Sequence, residues 1–181
     1  MINIVTLPGG AKYMVDVGFG ANGPTKPLPL HAGLKTGSIY PSGIRLVKEN
    51  IASNTDPSQQ LWIYQHQKSP KDEWKSIYCF TELEFLPQDY DIMNFWTSQS
   101  RQSWFTYAVV VVRLIMEEGE LVGQVILNGA EVTKRVKGET DNIQTCKTEG
   151  DRVDALERWF EIRLREEERM GIRGMVTALH G

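Results

Sequence analysis

Apolar and polar residues alternate with a period of two through much of residues 1–80, and the pattern changes to helical spacing near residue 86. Residues 3–7 and 13–17 read as strands joined by Pro8, Gly9 and Gly10, so the pair is a hairpin. On the second strand Met14, Asp16 and Gly18 share one face, with Tyr13, Val15 and Val17 on the other. Residues 34–51 read as loop and then a short strand at 44–47. The polar stretch 50–60 marks a turn or a longer excursion, and 61–65 and 74–80 are the next strands. Short strands joined by turns at this spacing predict an antiparallel barrel or strongly curved sheet.

From Leu86-Pro87 the pattern predicts a helix, because proline in the first turn lacks only an N–H that would have no partner there. Tyr90, Ile92, Met93 and Phe95 or Trp96 continue it, and Asp89 and Asp91 suit its N-terminal end. Residues 97–103 read as a helix-to-strand connector. Residues 105–115, apolar on both faces and rich in β-branched side chains, predict a central strand. A meander follows, with a turn at 117–120, strands at 121–127 and 130–136, and a type I′ turn signal at Asn128-Gly129. Residues 138–150 read as polar loop. Asp151 then caps a helix with the apolar stripe Val153, Leu156, Trp159, Phe160 and Leu164, leaving Asp154, Glu157 and Arg158 toward solvent. Residues 163–169 predict a short charged helix with i,i+4 pairs ending near Gly171, and 174–181 are expected to fray. The predicted fold class is α+β: an antiparallel β-barrel-like region at 1–85, then an α/β region at 86–181 with a β-meander and terminal helices.

Composition agrees with a cytosolic globular protein and decides little else. A chain of 181 residues, 41% hydrophobic, can bury a sizeable core, and its net charge of −3 argues against a nucleic-acid surface. The longest apolar run, 107–112, is far too short to span a bilayer, so no membrane association is expected. Two cysteines without metal or paired spacing fit a reducing, cytoplasmic location, and no metal constellation is seen. Cys79 alternates within a strand pattern and Cys146 sits in a polar connection. His31 follows a proline run, His66 lies in a strand pattern and His180 is one residue from the end; all three read as surface or partly satisfied residues.

The densest candidate chemistry lies at 13–29, where a strand bearing Asp16 is followed by Gly18, Gly20 and Gly23 and then by Pro24, Pro27 and Pro29. From the residues alone, such an aspartate is a turn former whose carboxylate takes backbone N–H bonds. The block VDVGFG, with Tyr13 two residues before it and the proline run after it, resembles the arylamine N-acetyltransferases, and its wording is nearest the fungal branch. KSIYCFTE and MNFWTSQS follow in the family's order. The resemblance implies a β-barrel followed by an α/β lid, and a Cys–His–Asp triad that passes an acetyl group from acetyl-CoA to an arylamine or arylhydrazine through an acetyl-cysteine. Asp16 stands at the triad aspartate, where a carboxylate orients the imidazole and stabilises its charged form. The resemblance further implies an acceptor pocket lined by Gly18, Phe19, Gly20, Ala21 and Gly23. It also implies a coenzyme A site at Ser98, Gln99, Ser100 and Ser103, with Asn94 and Trp96 beside them.

In the family the triad histidine precedes the aspartate by roughly fifteen residues on the paired strand, which here falls at or before Met1. The RGGxC-type helical bundle lies further upstream. Neither Cys79 nor Cys146 has the family's nucleophile context, so the sequence as written is expected to hold only the aspartate and to be inactive by itself. Apolar surface left without that bundle is expected to aggregate or to bind partners. The alternative expectation is a non-catalytic acyl-CoA-binding or protein-interaction module.

Overall fold

The computed structural model describes residues 1–179 and contains three antiparallel sheets. The first holds β1 (Asn3–Thr6), β2 (Lys12–Val15) and β3 (Leu28–Pro29) in that order. The β1–β2 hairpin closes through Leu7 N–H to the Ala11 carbonyl at 2.8 Å and Gly10 N–H to the Leu7 carbonyl at 2.9 Å. Gly9 and Gly10 both have positive φ, the conformation that glycine adopts without cost from a β-carbon. The last ladder pair is Asn3 with Val15, so β2 ends before Asp16 rather than at residue 17. The cause is local: the Asp16 carboxylate takes the Gly18 N–H and turns the backbone out of the sheet.

The second sheet runs β4 (Lys35–Gly37), β5 (Gly43–Glu49), β6 (Leu61–Gln67), β7 (Lys75–Phe80). Period-two burial puts Ile44, Leu46, Trp62 and Tyr64 on one face, where they pack with Met14 and Leu28 of the first sheet into a single core. β3 and β4 have too few residues to produce an alternation, and pairing with β2 and β5 is what makes them strands.

The third sheet, in order β11-β10-β9-β8, comprises β8 (Val110–Glu117), β9 (Glu120–Asn128), β10 (Glu131–Val136) and β11 (Glu139–Thr145). Its second core contains Val125, Leu127, Val132 and Cys146, with Ala155 and Phe160 of α2 (Glu149–Phe160). Among the described residues none of the three sheets closes on itself. By contact density the chain falls into two units. One is Met1–Leu83 with Met116–Val122, and the other is Glu84–Ile115 with the chain from Gly123 onward.

Several expectations are corrected here. α1 (Pro87–Gln99) begins as predicted, with Leu86 N–H donating to Asp89 Oδ2 at 2.8 Å, but it continues through residues 97–99. Within the helix the Thr97 hydroxyl donates back to the Met93 carbonyl at 2.9 Å, which satisfies it without drawing the chain into a turn. Residues 104–106 form a 3₁₀ turn, so the strand predicted from 105 starts only at Val110. The Thr106 hydroxyl holds that turn by donating to the carbonyls of Ser100 and Ser103. Asn128 pairs with Glu131, which makes Gly129 and Ala130 the turn centre, with positive φ at Gly129 alone: a II′ rather than a I′ arrangement. The stretch read as loop at 138–150 contains β11, a polar edge strand launched by positive φ at Lys137 and Gly138. Thr148, not Asp151, caps α2. Its hydroxyl accepts the Asp151 N–H, and the Asp151 carboxylate accepts the N–H groups of Lys147 and Thr148.

α3 (Glu166–Met170) forms as expected, but its pairs Arg165–Glu168 and Glu166–Arg169 are spaced i,i+3. The segment expected to fray is held at Thr177 and Leu179, whose backbone groups bond Arg152 and Glu149. His180 lies outside the described residues. Of α1's large apolar side chains, Ile92, Phe95 and Trp96 are 73%, 69% and 56% exposed. No helix among the described residues is long and apolar enough to cross a membrane.

One strand glycine has no substitute. Gly123 of β9 faces Val136, and a β-carbon there would stand 2.2 Å from the Arg135 carbonyl oxygen. Gly123→Ala is expected to destabilise by about 3 kcal/mol, read as a lowered denaturant midpoint. A loss below about 0.5 kcal/mol would show that the β9–β10 ladder gives way freely at this end.

Candidate active site

Asp16 leaves the end of β2 half-buried, and both of its oxygens accept hydrogen bonds. Oδ1 accepts the Gly18 N–H at 3.0 Å, the turn bond that the residue pattern alone implies. Oδ2 accepts the hydroxyl of Tyr78 at 2.8 Å, from a residue 62 positions along the chain. A carboxylate offers about four lone-pair positions, so capacity for further donors remains. Asp16 is therefore oriented from two sides rather than merely capping its own turn.

Tyr78 reaches it because β7 pairs with β6 in a register that places Tyr78 opposite Tyr64 and then shifts between Tyr64 and Gln65. Such an irregularity re-aims side chains locally. The two rings stack at 5.0 Å with 24° between planes, and Phe19 lies 5.0 Å from Tyr78, tilted at 46°. Tyr64 is wholly buried, whereas Phe19 is 42% exposed. Burial, then the hydrogen bond to Asp16, then the charges of Asp16 and Tyr64 push the Tyr78 phenol far above its ordinary range. Burial, followed by the Asp16 charge, does the same to Tyr64.

Both phenols thus stay neutral donors across the physiological range, and a pH prediction follows. A raised folded pKa contributes stability that is fully present below the ordinary tyrosine value of about 10, and that is lost as pH rises beyond it. Stability should fall steeply in strong alkali, and Tyr78→Phe should flatten that fall in alkaline denaturant titrations. An unchanged alkaline slope would contradict the assignment.

The acceptor-loop candidates lie together. Gly18, Phe19, Gly20 and Ala21 lead into a turn in which Gly23 N–H donates to the Gly20 carbonyl at 2.9 Å, with Gly20 at φ +95°. Gly23 is buried, and a β-carbon there would meet the Phe19 β-carbon at 3.0 Å and the Gly20 carbonyl oxygen at 3.1 Å. Only glycine lets the chain pass this close beneath Phe19.

The coenzyme candidates belong to the other unit. Ser98 and Gln99 are exposed on the last turn of α1, where Asn94 and Trp96 are exposed too. Ser100 ends the helix, donating its N–H to the Trp96 carbonyl at 2.9 Å, and its hydroxyl oxygen accepts the Gln102 N–H at 3.2 Å. Ser103 is buried, its carbonyl receiving Thr106 N–H at 3.0 Å.

Cys79 is exposed on β7. Cys146 is buried, and burial first, then the nearby Asp151 charge, push its thiol up and away from the reactive thiolate. His31 is exposed, and His66 sits on β6 opposite Lys75. Among the described residues no group of three or more His, Cys, Asp and Glu could hold a metal ion. Sequence reasoning missed Tyr78 and Tyr64. The available signal was two tyrosines on consecutive strands facing the same core.

Residues 1–169 match the N-acetyltransferase family. The N-malonyltransferase FDB2 of Fusarium pseudograminearum is 37% identical over 182 residues, covering 95% of this chain and 53% of that protein. The structure of Mycobacterium marinum arylamine N-acetyltransferase superposes with a TM-score of 0.75 at 24% identity, over 95% of this chain and 58% of that one. The same enzyme in complex with CoA gives 0.71 at 24% identity, over 89% and 53%. At this identity the likeness establishes the fold. The chain spans about half the length of the curated relatives it matches.

Proposed function

The chain belongs to the arylamine N-acetyltransferase family, and from that premise we propose that it supplies the aspartate, the acceptor loop and the coenzyme-gripping segment of an acyl-CoA-dependent amine N-acyltransferase. The observation that carries this reading is the second bond on Asp16. A turn former needs only Gly18, whereas a hydroxyl brought from β7 to the other oxygen fixes the carboxylate's direction and leaves acceptor capacity for an imidazole N–H. In this reading Asp16 holds the histidine tautomer and stabilises the imidazolium that keeps a cysteine as thiolate. In this reading the imidazole and the thiolate are the family's histidine and cysteine, and what these residues contribute is the carboxylate held by Gly18 and Tyr78.

The thiolate takes the acyl group from the thioester, and CoA leaves as its thiol with the proton of the imidazolium. The amine then attacks the acyl-cysteine and gives its proton to the imidazole. Residues 1–85 carry the aspartate and acceptor loop as part of a barrel-like region. Residues 86–181 act as the lid, where Ser98, Gln99, Ser100 and Ser103 offer hydroxyl, amide and backbone donors suited to phosphate and pantetheine. The likeness to an N-malonyltransferase supports testing a malonyl donor beside acetyl-CoA, with an aromatic amine or hydrazine as acceptor.

The test compares this chain with any longer in-frame product of its transcript, each assayed with acetyl-CoA and malonyl-CoA and aniline as acceptor. Transfer by the longer product, with none by the chain alone, is the expected result. Binding of acetyl-CoA without turnover by either would instead favour the second reading, a non-catalytic acyl-CoA-binding or protein-interaction module. The exposed apolar face of α1 is the observation that keeps that reading in view.

A further inference from the structure

We propose that Tyr64 is a positioning residue that locks the far end of the acceptor loop, so that the loop is clamped at both ends by phenols of adjacent strands. This rests on the reading of 18–23 as an acceptor loop. Tyr64 is wholly buried in the core formed with Met14, Leu28, Ile44, Leu46 and Trp62, yet its hydroxyl does not end there. It donates to the carbonyl of Asn22 at 3.0 Å, across 42 residues of chain. A buried tyrosine hydroxyl needs a partner, and this one finds it in a glycine-rich surface loop rather than in the core. Tyr78, stacked on Tyr64, reaches Asp16 where the same loop begins.

Around these two fixed points the loop carries local restraints of its own. Gly23 N–H closes a turn onto the Gly20 carbonyl, and the next anchor is the hydroxyl pair of Thr25 and Ser38 at 3.3 Å. Glycines at 18, 20 and 23 leave the backbone many conformations to lose, so a single well-placed bond has a large effect on order. Phe19 rests against Tyr78 and is partly exposed. Its position is therefore set by whether the loop's far end stays tied to Tyr64. The consequence for an aromatic acceptor is on its binding, because Tyr64 itself is buried and touches no reacting atom.

The experiment is Tyr64→Phe in the full chain, with Tyr78→Phe beside it, followed by amide hydrogen exchange. Tyr64→Phe should lower protection of the Gly23 N–H by about tenfold or more, with the β5 and β6 amides nearly unchanged. Tyr78→Phe should loosen Gly18 and leave Gly23 protected. Unchanged protection at Gly23, or an equal loss throughout β5 and β6, would overturn the clamp. In a product that transfers acyl groups, Tyr64→Phe should raise the acceptor KM about tenfold while acylation by acyl-CoA keeps its rate. A lowered acylation rate with unchanged acceptor KM would overturn the role in acceptor binding. Absence of transfer in the unsubstituted product would count against the enzymatic reading alone, since hydrogen exchange reads the clamp directly.

Discussion

Asp16→Asn is expected to cut acyl transfer by about 10⁴-fold in a polypeptide that joins this chain to the family's histidine and cysteine. The amide is nearly the same size, and its oxygen can still accept the Gly18 N–H. It has no charge to stabilise an imidazolium, however, and its NH2 replaces one of the two acceptor oxygens, so that either the Tyr78 hydroxyl turns round to accept or the histidine N–H meets a second donor. The chain by itself reports the same change. Removing the carboxylate charge and its hydrogen bond should bring the Tyr78 phenol down toward the ordinary range, with burial, the largest cause of its shift, still holding it above. A shallower fall of stability in alkaline denaturant titrations would show this. Transfer retained within about tenfold of the unsubstituted rate would remove Asp16 from the triad. An alkaline slope that did not change would place the Asp16 carboxylate elsewhere.

Arg152→Ala is expected to cost about 2–3 kcal/mol of stability, less than stranding a fully buried charge because the Glu149 side chain left behind is 27% exposed. Arg152 is only 3% exposed in the first turns of α2. Its guanidinium pairs with Glu149 through both terminal atoms of that carboxylate, with Nε at 3.0 Å from Oε2. It also donates to the carbonyl of Gly129 in the β9–β10 turn at 3.4 Å and to that of Thr177 at 3.0 Å. Glu149 in turn accepts the Leu179 N–H. One guanidinium therefore ties a helix, a hairpin turn and the C-terminal segment together, and alanine would leave two carbonyls and a carboxylate with fewer partners. A urea midpoint should fall markedly, and the pair Arg152→Met with Glu149→Leu should recover much of the loss. A single-substitution cost below about 1 kcal/mol would mean that water replaces the guanidinium freely.

Local chemistry made much of the fold legible. The β1–β2 hairpin, the strands around Ile44, Trp62 and Ile77, the start of α1 at Pro87, the Glu118-Gly119 turn and α3 are all visible in alternation, helical spacing and turn residues. β11 was not legible, because Ile143 is the one large apolar residue of its seven and its pairing with β10 makes it a strand. Arg152 reads as one more charge on a helix that is full of them, and nothing near it in sequence announces burial. The coenzyme segment shows the same limit: Ser98, Gln99 and Ser100 end a helix, while Ser103 is folded inward by Thr106, three residues later.

The amino-acid sequence by itself determined the strand and helix periods, the glycine loop after β2 and the family, because each of these is carried by residues close together along the chain. The tertiary structure decided which way Asp16 points and what holds the loop behind it. Those depend on phenols of β6 and β7, which reach their partners only because sheet pairing brings distant segments within hydrogen-bond range, and a hydrogen bond acts over about 3 Å of space whatever the separation along the chain.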